Sequence, residues 1–341
     1  MQFTHALARC SEQRAQVPKP QKLPQLVLLG ASGFIGSAIL RQLSAQVDSP
    51  ADLQFSVRAL VHRRALAAED LRLSLHQGSL ENLPAQLLPD DSHVIIHCAT
   101  KQVDQRDVFD DNLQGLERLG ERINIATRAV IYCSSFSVYG DAAQKGVDED
   151  APLRPTTSLA RSRLACEARL TELAHQYGFT AVILRPRFVV GQGDQFFLPS
   201  MARLLRAGIG IASGEQRYSV IDVDDYARII LDLSLAYANV QPPTVVAFNV
   251  GYRRAIALRE IYRVLAEVLK LKPRLKFAIP EFMQVVARLP SPRLQRLGAQ
   301  LRLLACDRYG VVDKLHTQLQ HPVLLTDPAD IIRRAARQLS A

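Results

Sequence analysis

The chain has 341 residues, enough to bury one large α/β unit or two domains, and 48% hydrophobic with 22% charged residues is a globular composition. No apolar run approaches the ~20 residues that a membrane-spanning helix needs, and the first 24 residues lack the apolar core of a secretory signal. The five cysteines are far apart and show no metal-ligand spacing. We therefore expect reduced thiols, no metal site and a cytoplasmic protein.

The net charge of +9 is unevenly distributed, because residues 251–341 hold 17 Lys+Arg against 7 Asp+Glu. Two basic amphipathic stretches, at about 282–289 and 294–304, fit peripheral contact with an anionic membrane or with a protein partner. The alternative is a solvated arginine face on the parent domain. No nucleic-acid-reading motif accompanies the charge, so no nucleic-acid partner is expected.

The first predicted strand, Leu26–Leu29, runs directly into a glycine-rich loop and an amphipathic helix that continues to about Ala45. This context is typical of a dinucleotide-binding Rossmann turn, with one glycine for the tight turn, one for the approach of the pyrophosphate and one for close packing of the helix. Free N–H groups at the start of the helix attract the phosphates. The residues expected to hold the cofactor here are Gly30, Ser32, Gly33, Phe34, Ile35 and Gly36.

The second predicted strand, Phe55–Val61, ends at His62-Arg63-Arg64 without a carboxylate. An acidic residue at this point binds the ribose hydroxyl of NAD, whereas a cation accommodates the 2′-phosphate of NADP. We therefore predict NADP(H), held by His62 and Arg63, with NAD as the less favoured cofactor. The competing interpretation is that the arginine pair is simply solvated.

Strand-like and helical runs continue to alternate, which is the pattern of a doubly wound parallel sheet. Further strands are predicted at Leu73–His76, Val94–Cys98, Ala129–Cys133 and Ala181–Leu184, with helices at about 107–124 and 159–177. After Gly191 the pattern loosens into helices at about 196–207, 225–238 and 256–269, an extended segment at 218–223 and a strand at 245–250. We predict a Rossmann-type α/β fold with a flexible tail (1–24), an NAD(P)-binding domain (25–190, completed by the strand at 245–250) and a smaller, interwoven substrate-binding and helical region (191–341).

Several motifs, in order along the chain, resemble those of the extended short-chain dehydrogenase/reductases, also called NAD-dependent epimerase/dehydratases. They are the glycine loop, Val94 to Ala99, Asn112, Tyr132 to Gly140, Leu184-Arg185-Pro186, Val190-Gly191 and Val223 to Ala227. The resemblance spans about 26–269. It implies a substrate cleft at the carboxyl ends of the strands, a small carbonyl, hydroxyl or sugar-nucleotide substrate, and a homodimer formed through the two long helices.

The resemblance also implies roles for individual residues. Ala99, Thr100, Pro186 and Val189 would line the cofactor, and Ser79 and Leu80 would lie near the adenine, although the family usually has aspartate at the position of Ser79. Ser135 matches the serine or threonine that hydrogen-bonds the reacting oxygen. A hydroxyl that only caps the local backbone is the alternative for Ser135.

The family's proton donor is a tyrosine with a lysine four residues later, and this pair is missing here. With Glu167 as the anchor, the two positions hold Leu159 and Arg163, and none of the chain's tyrosines has lysine at i+4. Arg163 has the donors to bind the nicotinamide ribose, but a guanidinium keeps its proton near neutral pH. The other candidate proton donors near the cleft are Tyr132, Tyr139, Thr156, Thr157, Ser158 and Lys101.

Two hypotheses follow from this departure. One is an atypical oxidoreductase or epimerase/dehydratase-like enzyme, in which Ser135 and Arg163 act on the substrate and another group supplies the proton. The other is a catalytically inactive NADP(H)-binding regulator or assembly protein.

Overall fold

The computed structural model describes residues 25–45, 56–62, 73–100, 108–272, 277–279, 301, 303–319 and 322–339. Its centre is a seven-stranded sheet in the order β12-β7-β5-β4-β1-β2-β3, in which every neighbouring pair is parallel. The strands are β1 Gln25–Leu29, β2 Val57–Val61, β3 Leu73–Gln77, β4 His93–His97, β5 Thr127–Cys133, β7 Thr180–Pro186 and β12 Val245–Val250. This architecture confirms the predicted Rossmann-type α/β fold.

Helices cover both faces of this sheet, which is why its strands read as nearly continuous apolar runs. On one face α1 (Phe34–Ala45) packs against α5 (Val223–Tyr237), and on the other α2 (Val108–Gly120) packs against α3 (Ser158–Tyr177). The two faces form separate buried clusters, one around Leu28 and Ile96 and one around Val27 and Ile95. Alternate residues of the same strands therefore point to opposite layers.

The remaining described elements form a smaller region beside the carboxyl edge of the sheet. Its strands are β6 Gln144–Val147, β8 Phe188–Val190, β9 Ile209–Ile211, β10 Arg217–Tyr218, β11 Val220–Asp222, β13 Ile256–Ala257, β14 Phe277–Ile279 and β15 Arg308–Gly310; its helices are α4 Phe197–Arg206, α6 Leu258–Val268, α7 Asp313–Leu319 and α8 Pro328–Arg337, with 3-10 turns at Phe136–Tyr139 (η1) and Pro322–Leu325. Strand β6 pairs with β15, and β12 lies beside β7 of the main sheet. The two regions are therefore interleaved along the chain.

Asp222, at the start of α5, shows how the sequence fixes one of these helices. Its carboxylate accepts a hydrogen bond of 2.8 Å from the N–H of Asp224, which satisfies one of the free donors in the first helical turn. The acidic run at 222–225 therefore caps a helix. None of the helices in the described residues has the length and apolar character needed to cross a bilayer.

Candidate cofactor and substrate site

The glycine loop brings β1, α1 and the end of β4 closer together than any side chain would allow. Gly30 has φ +89°, and a Cβ there would lie 2.8 Å from the Cα of Ala99. A Cβ on Gly36 would lie 2.2 Å from the carbonyl oxygen of Gly30. The loop is closed by a hydrogen bond of 3.0 Å from the N–H of Gly33 to the same oxygen. Helix α1 therefore starts with its N–H groups directly behind the loop, the arrangement that receives a pyrophosphate.

Beside the loop lies a cleft with a volume of about 350 Å³, at the carboxyl ends of β1, β2 and β4. This volume lies within the range of small-molecule sites. The described lining residues are Gly30, Ser32, Leu60, His62, Gly78, Ser79, Leu80, Glu81, Ala99, Thr100, Asp111 and Asn112. The cleft mixes apolar walls with a few polar groups and opens at the glycine loop, so it fits the adenosine half of a dinucleotide whose phosphates rest on the loop.

Seven of the residues that the sequence singles out for cofactor binding thus line one cleft: Gly30, Ser32, His62, Ser79, Leu80, Ala99 and Thr100. Gly33, Phe34, Ile35 and Gly36 form the loop and the first turn of α1. Pro186 ends β7 and Val189 lies in β8, farther along the same edge. Arg63 lies outside the described residues, so its predicted contact with a 2′-phosphate stays a prediction.

Ser79 is held by its own turn. Its hydroxyl accepts hydrogen bonds of 3.2 Å from the N–H groups of Glu81 and Asn82, so it is already engaged at the position where the resemblance implies an aspartate. Five further lining residues were not predicted from the sequence as site residues: Leu60, Gly78, Glu81, Asp111 and Asn112. The available signals were weak: Glu81 closes the Gly78-Ser79-Leu80 turn, and Asp111 directly precedes Asn112.

Ser135 stands just beyond β5, where the chain turns into η1. Its Oγ accepts a hydrogen bond of 3.2 Å from the N–H of Ser137, and it thereby caps the 3-10 turn. The capping role that we weighed for this hydroxyl is present in the structure. In this cap Ser135 Oγ only accepts a hydrogen bond. The hydroxyl hydrogen of the half-buried Ser135 therefore stays available to donate to a substrate oxygen.

Arg163 is buried beneath this turn, one helical turn after Leu159 in α3. Its Nη1 donates to the carbonyl oxygen of Cys133 and, at 3.3 Å, to that of Ser134. The guanidinium therefore ties α3 to the end of β5 and lies next to Ser135. Leu159 offers no proton at the position where the resemblance implies a tyrosine.

A buried ion pair lies behind the same turn. Arg185 of β7 donates two hydrogen bonds to Glu167 of α3, from Nη2 to Oε2 at 2.7 Å and from Nε to Oε1 at 3.2 Å. Ser134 donates to the same carboxylate. Arg185 also donates to the hydroxyl of Tyr139 at 2.8 Å, and that hydroxyl donates to Asn249 at 2.9 Å. The network joins α3, β7, β12 and the turn that carries Ser135.

Two of the alternative proton donors from the sequence are buried tyrosines, and the hydroxyls near the start of α3 make local hydrogen bonds. Burial raises the pKa of Tyr139 to about 12, against the opposing charge of Arg185, and burial raises the pKa of Tyr132 well above its ordinary value. Thr157 caps α3 by accepting from the N–H of Ala160, Thr156 donates to Asp141, and Ser158 accepts from Arg161. Lys101 lies outside the described residues.

His97, the last residue of β4, makes the stability of the fold depend on pH. Burial, aided by the positive charge of Arg163, lowers the pKa of His97 from 6.5 to about 4. Between these two pKa values, His97 is protonated in the unfolded chain but neutral in the folded protein. The free energy of unfolding should therefore fall by roughly 3 kcal/mol as the pH drops through this window. Urea denaturation at pH 7 and pH 5 should show about 2 kcal/mol of this loss, and the rest follows as the pH falls below the pKa of the folded state. His97→Leu should flatten the dependence, and equal pH slopes for both proteins would contradict the assignment.

Comparison with known proteins decides the family. Residues 26–251 match the model of the NAD dependent epimerase/dehydratase family. The chain belongs to this family. Within it, the chain is 24% identical to a UDP-glucose 4-epimerase of Vibrio cholerae over 279 residues, which cover 76% of this chain and 80% of that protein. The family resemblance found in the sequence is thereby confirmed.

Solved structures of the epimerase/dehydratase family share the fold along most of the chain. A crystal structure of a UDP-galactose 4-epimerase superposes with a TM-score of 0.68 at 21% identity, covering 93% of this chain and 98% of that one. A dTDP-glucose 4,6-dehydratase of Bacillus anthracis in complex with NAD gives 0.69 at 15% identity, covering 93% and 96%. A nicotinamide dinucleotide is thus the cofactor that family membership and the cleft both indicate.

Proposed function

We propose that the chain is a nicotinamide-dependent oxidoreductase or epimerase/dehydratase-like enzyme that acts on a small carbonyl, hydroxyl or sugar-nucleotide substrate by an atypical mechanism. The observation that carries the proposal is the position of Ser135, at the same sheet edge as the glycine loop and the cleft. Sugar-nucleotide substrates are favoured by the activities of relatives, such as the Vibrio cholerae UDP-glucose 4-epimerase.

A nicotinamide dinucleotide held on the glycine loop would supply hydride-transfer chemistry, and the chain's own residues would position the substrate. Ser135 donates its hydroxyl hydrogen to the substrate oxygen and so orients the carbon that reacts. Arg163, fixed by the carbonyls of Cys133 and Ser134, places a positive charge where negative charge develops on that oxygen. Because Leu159 has no proton and Tyr139 gives its own to Asn249, we assign the proton to a water molecule in the cleft.

Restoring the missing pair tests this mechanism. The double variant Leu159→Tyr/Arg163→Lys should raise the turnover rate by on the order of 100-fold, because a positioned general acid contributes about 10²–10⁴-fold. Substrate-dependent change in the nicotinamide absorbance, over a panel of sugar nucleotides, ketones and aldehydes, gives the rate. Leu159→Phe/Arg163→Lys is the matched control, since it adds the ring and the lysine without the hydroxyl. Equal rates for the two double variants would contradict the proposed mechanism.

The second candidate is a catalytically inactive NADP(H)-binding regulator or assembly protein. It is favoured by Leu159 and by the engagement of Arg163 with main-chain carbonyls. The two candidates differ in one measurement. A tight complex with NADPH, without turnover of any substrate in the panel by the unmodified protein, would support the inactive binder.

We further propose NADP(H) over NAD(H), because the exposed His62 stands at the end of β2 and lines the cleft. Calorimetric titration should give at least about tenfold tighter binding of NADPH than of NADH, since a hydrogen bond to a charged phosphate contributes more than ~1.4 kcal/mol. His62→Asp should reverse the order by repelling the 2′-phosphate. A preference for NADH in the unmodified protein would overturn this part of the proposal.

The proposal includes a cytoplasmic homodimer formed through α2 and α3, which pack against each other on one face of the sheet. The basic stretches at 282–289 and 294–304 fall almost wholly outside the described residues. Their proposed contact with a membrane or a protein partner rests on the sequence alone. Liposome sedimentation that leaves the protein in the supernatant would dispose of the membrane alternative.

A further inference from the structure

Arg187 lies at the sheet edge close to Ser135. It follows Pro186, the last residue of β7, and leads into β8. In the parallel register Cys133 is paired with Leu184, and Ser135 and Pro186 each follow two residues later. Adjacent strands are about 4.8 Å apart. The turn that carries Arg187 therefore emerges beside the turn that carries Ser135.

The guanidinium of Arg187 is held in place but not satisfied. Its Cζ lies 4.8 Å from the ring centroid of Phe188, which fixes the side chain over an apolar surface. The residue as a whole is half-buried, and its Nε and Nη2 are shielded from solvent and have no hydrogen-bond partner among the described residues. A shielded donor without an acceptor is destabilising, and more so when it is charged.

The surroundings of Arg187 add positive charge. Arg308 is fully buried nearby, with Nε donating to Leu303 O at 2.9 Å and Nη2 donating to Asp141 O at 2.8 Å. Burial and the charge of Arg308 lower the pKa of Arg187 to about 9. The Asp141 carboxylate attracts Arg187, yet no ion pair joins the two in the described part of the chain. Within the described residues, no carboxylate therefore forms an ion pair with the Arg187 guanidinium.

We propose that Arg187 binds an anionic group, a carboxylate or a phosphate, that the substrate carries close to its reacting carbon. This inference rests on the proposed function, in which Ser135 holds the substrate oxygen. A guanidinium donates two parallel hydrogen bonds to a carboxylate or a phosphate, and such bonds are strongest where water is excluded. A neutral ketone or aldehyde would leave the cation unpaired, so Arg187 selects acidic substrates over neutral ones.

The test compares three full-length proteins: unmodified, Arg187→Met and Arg217→Met. Arg217 is an exposed arginine in β10, and its replacement makes the same chemical change outside the proposed site. Inorganic pyrophosphate represents the phosphate source and malonate the carboxylate source. Calorimetric titration gives each affinity, and thermal unfolding without added anion gives each midpoint temperature.

Arg187→Met should lose at least about tenfold in affinity for one of the two anions, and the anion affected identifies the source. Arg217→Met should match the unmodified protein. Without anion, the midpoint of Arg187→Met should equal or exceed that of the unmodified protein, because an unsatisfied cation has been removed; a structural arginine would lower it.

Equal affinities of the unmodified protein and Arg187→Met for both anions would overturn the inference, whatever the midpoints. Uptake of NADPH is measured separately on the same samples. If NADPH does not bind, that result counts against the proposed function. The anion affinities of the three proteins can still be compared, because all three have the same glycine loop.

Discussion

Replacing Arg185 by methionine is expected to lower the free energy of unfolding by about 3–5 kcal/mol, because the change leaves the Glu167 carboxylate buried without its cation. Both side chains are almost fully shielded, with exposed fractions of 6% and 4%. The Tyr139 hydroxyl loses a donor as well. Urea denaturation, followed by circular dichroism, measures the change.

Arg169 offers a matched control for this experiment. It also pairs with two carboxylates, Glu117 and Glu172, but at the surface. Exposed pairs contribute about 0–1 kcal/mol, so Arg169→Met should lose no more than that. The double variant Arg185→Met/Glu167→Gln should recover part of the loss, since the glutamine is neutral and still accepts from Ser134. A loss for Arg185→Met no larger than for Arg169→Met would refute the buried-pair argument.

This ion pair also supports the site. Ser134 is bonded to Glu167 and directly precedes Ser135, while Arg163 holds the carbonyls of Cys133 and Ser134. The chain leaving β5 is therefore fixed from two sides before it reaches Ser135, whose hydroxyl we propose to contact the substrate. Precise positioning of such a group requires this kind of support from behind.

The main sheet could be predicted from the sequence because its strands are covered on both faces. Val57–Val61 and His93–His97 are buried along most of their length, and such apolar runs between helical segments have few other interpretations. The glycine loop could also be predicted, because this glycine spacing between a strand and a helix is typical of dinucleotide binding. Local sequence patterns were therefore enough to predict the strands of the main sheet and the glycine loop.

The smaller region could not be predicted in the same way. Strands of two or three residues, such as β8 and β10, are too short to show any periodicity. Gln144–Val147 has no apolar alternation, and it becomes a strand by pairing with Arg308–Gly310 far along the chain. The segment predicted as a helix from Ile256 begins instead as strand β13, which pairs with β10.

The candidate site shows the same division. The loop residues and Ser135 follow from motifs, whereas Glu81 and Asp111 reach the cleft from separate elements. The unsatisfied Arg187 is visible only when the absence of an acceptor for its nitrogens is known. Residues that are far apart in the sequence meet in the folded protein without any local sequence pattern, so these features could not be predicted from the sequence.

The loop geometry yields the second large effect: Gly36→Ala should reduce affinity for nicotinamide dinucleotides by about 10- to 100-fold. The added Cβ would lie 2.2 Å from Gly30 O and 2.8 Å from Ala31 Cα. Both are backbone atoms, so α1 must move away from the loop. Overpacking against a rigid core costs about 1–3 kcal/mol, and every 1.4 kcal/mol is about tenfold in affinity.

Gly178→Ala separates lost binding from lost stability. Gly178 ends α3 with φ +70° and has no atom within 4 Å of an added Cβ. Alanine there costs about 1–2 kcal/mol of left-handed strain, comparable with Gly36→Ala, but far along α3 from the loop. Calorimetry should find NADPH binding unchanged in Gly178→Ala and weakened in Gly36→Ala. If both variants bind NADPH like the unmodified protein, the dinucleotide does not rest on the start of α1.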